Sequence, residues 1–174
     1  TDSMTLWFDD VILNPSQGPL INAGAFVVNP GTGSVMLQVD SVVNSGTVTL
    51  SGAVDLTTAQ LVRNAGTITV DPALSLALDG AEFYSEAAGV QTGPLHLTGG
   101  LLSGVGQVGD GAMTGTQLEP GGVALSGLPG AGIGTLTAAS LIFNATSSVG
   151  IDLAGLNPGS HDELVVSGQV IYAG

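Results

Sequence analysis

Carboxylates are the main side chains in this protein that could carry chemistry. Its 174 residues include fourteen Asp and Glu, two His, one basic side chain, Arg63, and no cysteine. The lack of cysteine excludes disulfides, thiol catalysis and Cys-ligated zinc. A net charge of −13 leaves nothing to neutralise phosphate, so neither nucleic acid nor an anionic membrane surface is expected as a partner. No apolar run reaches about 18 residues, so direct membrane insertion is not expected.

One acidic loop has the residue types of a calcium site. Asp152, Asn157 and Asp162 flank this loop and offer the oxygen ligands that Ca²⁺ prefers. Their spacing is not that of an EF-hand, and the glycine-rich calcium-binding nonapeptide is absent. Ordinary turn hydrogen bonding by Asp and Asn is the alternative. We therefore expect no cofactor, with calcium at this loop as the one exception to consider.

Catalytic arrangements are difficult to build from the remaining residues. Glycoside hydrolysis needs two facing carboxylates, yet neighbouring residues of a strand, as in Asp9–Asp10 and Asp162–Glu163, point to opposite faces. The Ser-His-Asp run at 160–162 consists of consecutive residues, which cannot readily form a catalytic relay. Polysaccharide lyases usually need basic residues, and this chain has no lysine and a single arginine. We expect a protein that is not an enzyme, with a glycoside hydrolase built across repeats as the less favoured alternative.

An internal repeat indicates the elements that would position these side chains. Asn22, Asn44 and Asn64 each begin the pattern Asn, small residue, Gly, short strand. Asn and Gly tolerate the left-handed backbone angles of tight turns. The period of about 20 residues lies in the range of solenoid repeats. Each repeat is expected to be one coil with two or three short strands, because hairpin loops usually span only about two to five residues.

The strand after each turn alternates between two faces. One face is apolar and is expected to point inward, since a single coil cannot bury its own apolar side chains. Its ladders comprise Phe26, Val48 and Ile68, followed by Val28, Leu50 and Val70. The opposite face carries the threonine ladder, which comprises Thr47, Thr49, Thr67 and Thr69.

The threonine ladder has two interpretations. Regular threonine arrays resemble the surfaces of ice-binding solenoids. Alternatively, threonine has high strand propensity and solvates an outer face. The other aligned repeat has Ala25 and Val27 at these positions, which breaks the regularity. Thr135 and Thr137 extend the array only if they fall on the same face.

These patterns predict an all-β fold, a parallel β-solenoid or β-helix with coils of about 20 residues. No segment combines helical periodicity with a glycine-poor stretch of helical length. Residues 1–19 are expected to form an N-terminal strand or cap, and residues 20–174 a single solenoid domain.

Ordered motifs in the second half resemble those of a known family. "GG-x-L-x-G-x-G-x-V" is followed by "L-x-PGG", "G-x-L-T", "I-x-L-x-G" and "D-x-L-x-V-x-G-x-V". In this chain they stand at residues 99–108, 118–122, 134–137, 151–155 and 162–170. With the Asn-Gly-Thr repeats at 42–70, this order resembles the passenger regions of bacterial autotransporter adhesins and related surface proteins. The chain departs from a full autotransporter because it contains no C-terminal barrel.

The resemblance implies a right-handed parallel β-helix that is exported to the cell surface or the extracellular medium. It implies a structural or adhesive role, with a host-cell, glycan or neighbouring-cell surface as partner and with self-association as a further interaction. A ligand-binding solenoid that recognises ice or glycan is the alternative function.

Overall fold

The computed structural model describes residues 3–7, 11–13, 18–29, 34–37, 39–51, 53–55, 60–121, 132–153 and 160–173. Every regular element within these ranges is a β-strand. In chain order the strands are β1 Ser3–Trp7, β2 Val11–Leu13, β3 Pro19–Asn22, β4 Ala25–Asn29, β5 Ser34–Leu37, β6 Ser41–Asn44, β7 Thr47–Leu50, β8 Ala53–Asp55, β9 Leu61–Asn64, β10 Thr67–Val70, β11 Leu76–Asp79, β12 Glu82–Ser85, β13 Val90–Thr92, β14 Pro94–Thr98, β15 Leu101–Gly104, β16 Gln107–Thr114, β17 Gln117–Pro120, β18 Thr135–Asn144, β19 Ser148–Val149, β20 Glu163–Val166 and β21 Val170–Ala173.

The named strands pair in parallel and form three stacks through which the chain passes in turn. The first stack follows the order β1, β4, β7, β10, β13, β16, β18 and β20. The second follows β2, β5, β8, β11, β14, β16, β18 and β21. The third follows β3, β6, β9, β12, β15, β17 and β19. The prediction of an all-β, parallel, solenoid-like fold is confirmed at this level.

The first two stacks merge into a single 14-stranded sheet. In the earlier layers each stack has its own strand, as with β13 and β14, which are separated at Gly93, a residue with φ of 84°. In the later layers one long strand serves both stacks: β16 pairs with β13 at Gln107 and with β14 from Asp110 onward. The bend between the stacks is therefore carried within β16 and β18.

The core consists of the predicted apolar ladders. Phe26 pairs with Val48, and Val48 pairs with Ile68, in the first stack, and all three are buried. The second ladder, comprising Val28, Leu50 and Val70, is likewise in register and buried. The second and third stacks contribute buried ladders of their own, with Leu76, Leu95, Leu78, Leu97, Val62, Phe83, Leu102 and Leu118. The apolar pattern therefore predicted the inward face correctly.

The repeated asparagines form a buried hydrogen-bonded ladder at one corner of the fold. The Nδ2 of Asn22 donates to Oδ1 of Asn44 at 2.8 Å, and the Nδ2 of Asn44 donates to Oδ1 of Asn64 at 2.8 Å. Asn44 also donates to the carbonyl of Thr67 at 3.2 Å and accepts from the backbone N–H of Gly46 at 3.2 Å. Asn44 and Asn64 are fully buried. Each side chain therefore holds its own turn closed and joins it to the next layer.

The glycines of these turns are required for close packing, which differs from the sequence expectation. Gly46 and Gly66 do not have the left-handed backbone that was expected of them, whereas Gly99 (φ 68°) and Gly100 (φ 73°) do. A Cβ on Gly66 would lie 2.1 Å from the carbonyl oxygen of Gly46. A Cβ on Gly46 would lie equally close, 2.1 Å, to the carbonyl oxygen of Gly24. Glycine is therefore needed because successive turns stack backbone on backbone.

Candidate functional site

The threonine ladder lies on the outward face of the first stack, in strands β7 and β10. Thr47 pairs with Thr67, and Thr49 pairs with Thr69. Thr47 and Thr69 are exposed, and the other two are partly exposed. Thr92 of β13, which is exposed, adds a third hydroxyl to the column of Thr49 and Thr69. The ladder is therefore an ordered hydroxyl-bearing surface.

The regularity of the ladder ends on both sides. In β4, Ala25 pairs with Thr47 and Val27 pairs with Thr49. On the other side, Val90 pairs with Thr67. Thr137 falls in this same column but is separated from the ladder by Val90 and Gln107. Thr137 therefore shares the face without extending the uninterrupted array.

A groove follows the threonine ladder on the same side of the molecule. It has a volume of about 240 Å³ and crosses strands β13, β16 and β18 to reach Ser167, just after β20. The column of Thr49, Thr69 and Thr92 enters this groove, where small residues such as Gly109 and Ala139 leave the space open. The ladder and the groove therefore form one continuous surface along the stacking axis.

The floor of the groove is organised by a buried glutamine. Gln91 is 1% exposed, although the matching position of the previous layer is the core residue Ile68. Its Nε2 donates to the carbonyls of Thr92 and Gly93, both at 3.0 Å, and its Oε1 accepts from the N–H of Gly109 at 2.8 Å. These bonds hold the bend at Gly93 against the uninterrupted strand β16. Sequence reasoning missed this residue, whose only signal was a polar side chain at an inward position.

The rim of the groove carries hydroxyl, amide and carboxylate groups. Asp110 pairs with Ser140 in register, and the Ser140 Oγ donates to its Oδ1. Gln107 is exposed and pairs with the partly exposed Thr137. The rim therefore offers both hydrogen-bond donors and acceptors to a ligand.

A second polar cluster lies on the third stack, at Glu82, Tyr84 and Ser103. Glu82 and Tyr84 flank the core residue Phe83 and point to the opposite face by strand alternation, yet they are only 1% and 3% exposed. The fully buried Ser103 pairs with Tyr84 and donates through Oγ to Oε1 of Glu82 at 2.9 Å. β12 and β15 are thus covered on both faces, which the continuous run Glu-Phe-Tyr-Ser does not reveal.

The chain's one basic side chain borders this cluster. Arg63 pairs in register with Tyr84 and forms an ion pair with Glu86. The pKa of Tyr84 is raised above its ordinary value by burial and then by the negative charges of Glu86 and Glu82, against which Arg63 acts in the opposite direction. Arg63 therefore belongs to this cluster on the third stack and does not line the groove.

The predicted calcium loop is organised by one carboxylate. Asp162 is 4% exposed; its Oδ1 accepts from the N–H of Gly134 and its Oδ2 from the N–H of Asp152, both at 2.9 Å. Asp152 is exposed, and Asn157 lies outside the described residues. Among the residues that are described, no three His, Asp or Glu side chains are placed to share a metal ion. The calcium site stays a prediction, and Asp162 has a structural role in joining β18 to the loop.

Both histidines lie on the surface. His96 is exposed between the buried Leu95 and Leu97, as alternation predicts, and His161 is also exposed. Asp9–Asp10 lies outside the described residues.

Comparisons with known proteins identify no relative: no family model, curated protein or solved structure matches this chain. In the part of the chain that the structure describes, no helix is long and apolar enough to span a membrane.

Proposed function

We propose that this chain is a non-catalytic structural and adhesive segment of an exported bacterial surface protein, built as a right-handed parallel β-helix with coils of about 20 residues. The observation that carries the proposal is the continuity of the three parallel stacks, which run from β1 to β21 and give one elongated body. Right-handed connection is the strong rule for parallel strands joined by crossovers. The motif resemblance to autotransporter passenger regions supports export.

A stacked fold of this kind can extend outward from a cell surface. About eight layers at roughly 4.8 Å per layer give a length near 40 Å. Each layer contacts only its neighbours, so the length can be extended without redesigning the core. Acidic character, with a net charge of −13, keeps such a surface soluble. The side faces are then available to contact a host cell, a neighbouring cell or a glycan.

Adhesion can be tested with beads that carry the purified chain. Beads coated through an N-terminal tag should be retained on a panel of cell surfaces more strongly than beads coated with an inert protein of matched charge and size. Small-angle X-ray scattering on the same preparation should give an elongated particle near 40 Å long, from about eight layers at roughly 4.8 Å each. Equal retention of both bead types on every surface would overturn the adhesive role.

Ice binding is the second candidate, and the threonine ladder favours it. Thr47, Thr49, Thr67 and Thr69 form a two-column array whose hydroxyls repeat at the strand spacing of about 4.8 Å. Thermal hysteresis of the purified chain, lost in a Thr49→Lys, Thr69→Lys double variant and kept in a Thr98→Lys control on another face, would support it. Absence of hysteresis at millimolar protein would remove this candidate.

A further inference from the structure

We propose that the groove beyond the threonine ladder binds an extended, uncharged polysaccharide that lies along the stacking axis. The inference rests on the adhesive role proposed above and assigns it a site and a ligand class. The site comprises Thr92, Gln107, Asp110, Thr137, Ala139 and Ser167, none of which the sequence singled out as a glycan contact.

The shape of the surface fits a long ligand. The groove crosses three successive layers and continues into the column formed by Thr69 and Thr92, so a ligand can contact one layer after another. Adjacent layers are about 4.8 Å apart, which is close to the length of one hexose unit in an extended chain. Each sugar would then meet an equivalent position of the next strand.

The chemistry of the rim fits hydroxyl-rich ligands. Sugar hydroxyls both donate and accept, as do the threonine and serine hydroxyls and the amide of Gln107. The carboxylate of Asp110 is exposed and accepts from Ser140, which orients it on the rim. A charged acceptor such as this carboxylate forms stronger hydrogen bonds with sugar hydroxyls than a neutral acceptor does. Val90 and Ala139 give the groove apolar surface against which sugar C–H groups can pack.

The charge distribution selects against acidic polysaccharides. The chain has a single Lys or Arg, and that residue, Arg63, is paired with Glu86 on the third stack. Asp110 places a negative charge at the groove itself. A uronate or sulfate would therefore meet repulsion without a cation to offset it. A neutral chain meets no such penalty.

The position of the groove also argues against a peptide ligand. Extended peptides usually bind by adding a strand to an exposed sheet edge. Here the groove lies on the face of a stack, and strands β13, β16 and β18 already pair with their neighbours across it. A ligand on this face would therefore contact side chains and C–H groups, and it would not add a strand to the sheet.

Affinity electrophoresis tests the proposal with defined probes. The purified full chain is run through native gels that contain a neutral β-glucan, xylan, mannan or galactan, alginate as a polyanion, or no polymer. At least one neutral polymer should retard the chain, and alginate should not. Retardation by alginate alone, or by none of the four neutral polymers, would overturn the inference.

Two variants locate the site. Ala139→Phe fills the groove, and we expect its apparent Kd for the retarding polymer to rise at least about tenfold. Asp110→Asn should weaken binding by about tenfold, because a carboxylate accepts stronger hydrogen bonds from sugar hydroxyls than a neutral amide oxygen does. His96→Phe is the matched control, since it adds the same ring to an exposed position of the second stack and should leave the Kd unchanged.

The bead assay separates this inference from the proposed function. If Ala139→Phe, with unchanged circular dichroism and thermal midpoint, still binds the polymer as wild type does, the groove assignment fails. Beads that carry this variant and adhere as wild-type beads do would count against the groove and leave the adhesive role intact. Polymer binding by a chain whose beads adhere to no cell surface would leave the groove and remove the adhesive role.

Discussion

At the residue scale, the asparagine ladder shows how a polar side chain can stabilise a buried corner. Asn44 is fully buried and makes hydrogen bonds to the layer before it, to the layer after it and to its own turn. In the layer after Asn64 the matching position is Ser85, whose Oγ donates to the backbone carbonyl of Gly89 at 3.3 Å. A shorter hydroxyl therefore replaces the amide where the ladder ends.

Removing one rung should destabilise the fold substantially. Asn44→Ala removes the hydrogen bonds of this side chain to Asn22, to Asn64, to the carbonyl of Thr67 and from the N–H of Gly46, each of which contributes about 0.5–1.5 kcal/mol. We expect the free energy of unfolding in urea to fall by about 2–4 kcal/mol. Thr47→Ala, an exposed neighbour, should change it by no more than about 0.5 kcal/mol. Similar values for both variants would show that the ladder adds nothing to stability.

The stacked glycines give a second prediction at this scale. Gly66→Ala places a Cβ 2.1 Å from a backbone oxygen, which can be relieved only by separating the layers. We expect a loss of about 3 kcal/mol in unfolding free energy, in the upper range for overpacked sites. Gly18→Ala is the control, because a Cβ there has no neighbour within 4 Å. A Gly66→Ala protein as stable as this control would contradict the close-packing explanation.

At the element scale, strands β12 and β15 differ from the other strands of their stack. Both are buried along their whole length, whereas β9 and β17 alternate. Glu82 and Tyr84 lie on the face of β12 opposite the core residue Phe83. Their polar side chains are therefore buried on a face that strand alternation predicts to be exposed to solvent. The raised pKa of Tyr84 is a consequence of this enclosure.

The enclosure of Tyr84 predicts a loss of stability at alkaline pH. A phenol whose pKa is higher in the folded protein than in the unfolded chain holds its proton longer when folded. Its contribution is complete below the unfolded value, about 10, and is lost as pH rises through the folded value. We therefore expect Tyr84→Phe to flatten the decline in unfolding free energy above pH 10. Tyr172→Phe, at a 66% exposed position, is the control and should leave the decline as in wild type.

At the scale of the whole molecule, the most exposed apolar surface in the described residues lies at β20, β21 and the segment before β20. All four residues of β21 are exposed, with Val170 at 59% and Tyr172 at 66%. Their register partners in β18 are Leu141 and Phe143, which are core residues. Among the described strands β21 pairs only with β18, so it presents inward-type side chains and an unpaired edge, which is a template for pairing.

This edge predicts self-association of the purified chain. The apparent mass from light scattering should rise with protein concentration over the micromolar range. Val170→Lys should weaken that rise, because an inward-pointing charge protects a strand edge. Thr98→Lys adds the same charge to an exposed position of β14 and serves as the control. A rise that is identical in all three proteins would place the contact elsewhere.

The sequence by itself determined the strand class, the inward ladders and the parallel order of layers. Those features follow from local alternation and from a period of about 20 residues that brings like side chains into register. Asn22, Asn44 and Asn64 marked the turns correctly, and the four threonines were correctly assigned to one face. The physical reason is that a stacked fold repeats one local rule in every layer.

Only the tertiary structure decided what depends on contacts between layers. The need for glycine at Gly66 comes from a carbonyl in the preceding layer, and the burial of Glu82 comes from cover over an outer face. The groove likewise arises where the two stacks merge along β16 and Gln91 turns inward. No local periodicity encodes these arrangements, because each depends on how unlike residues of neighbouring layers pack against one another.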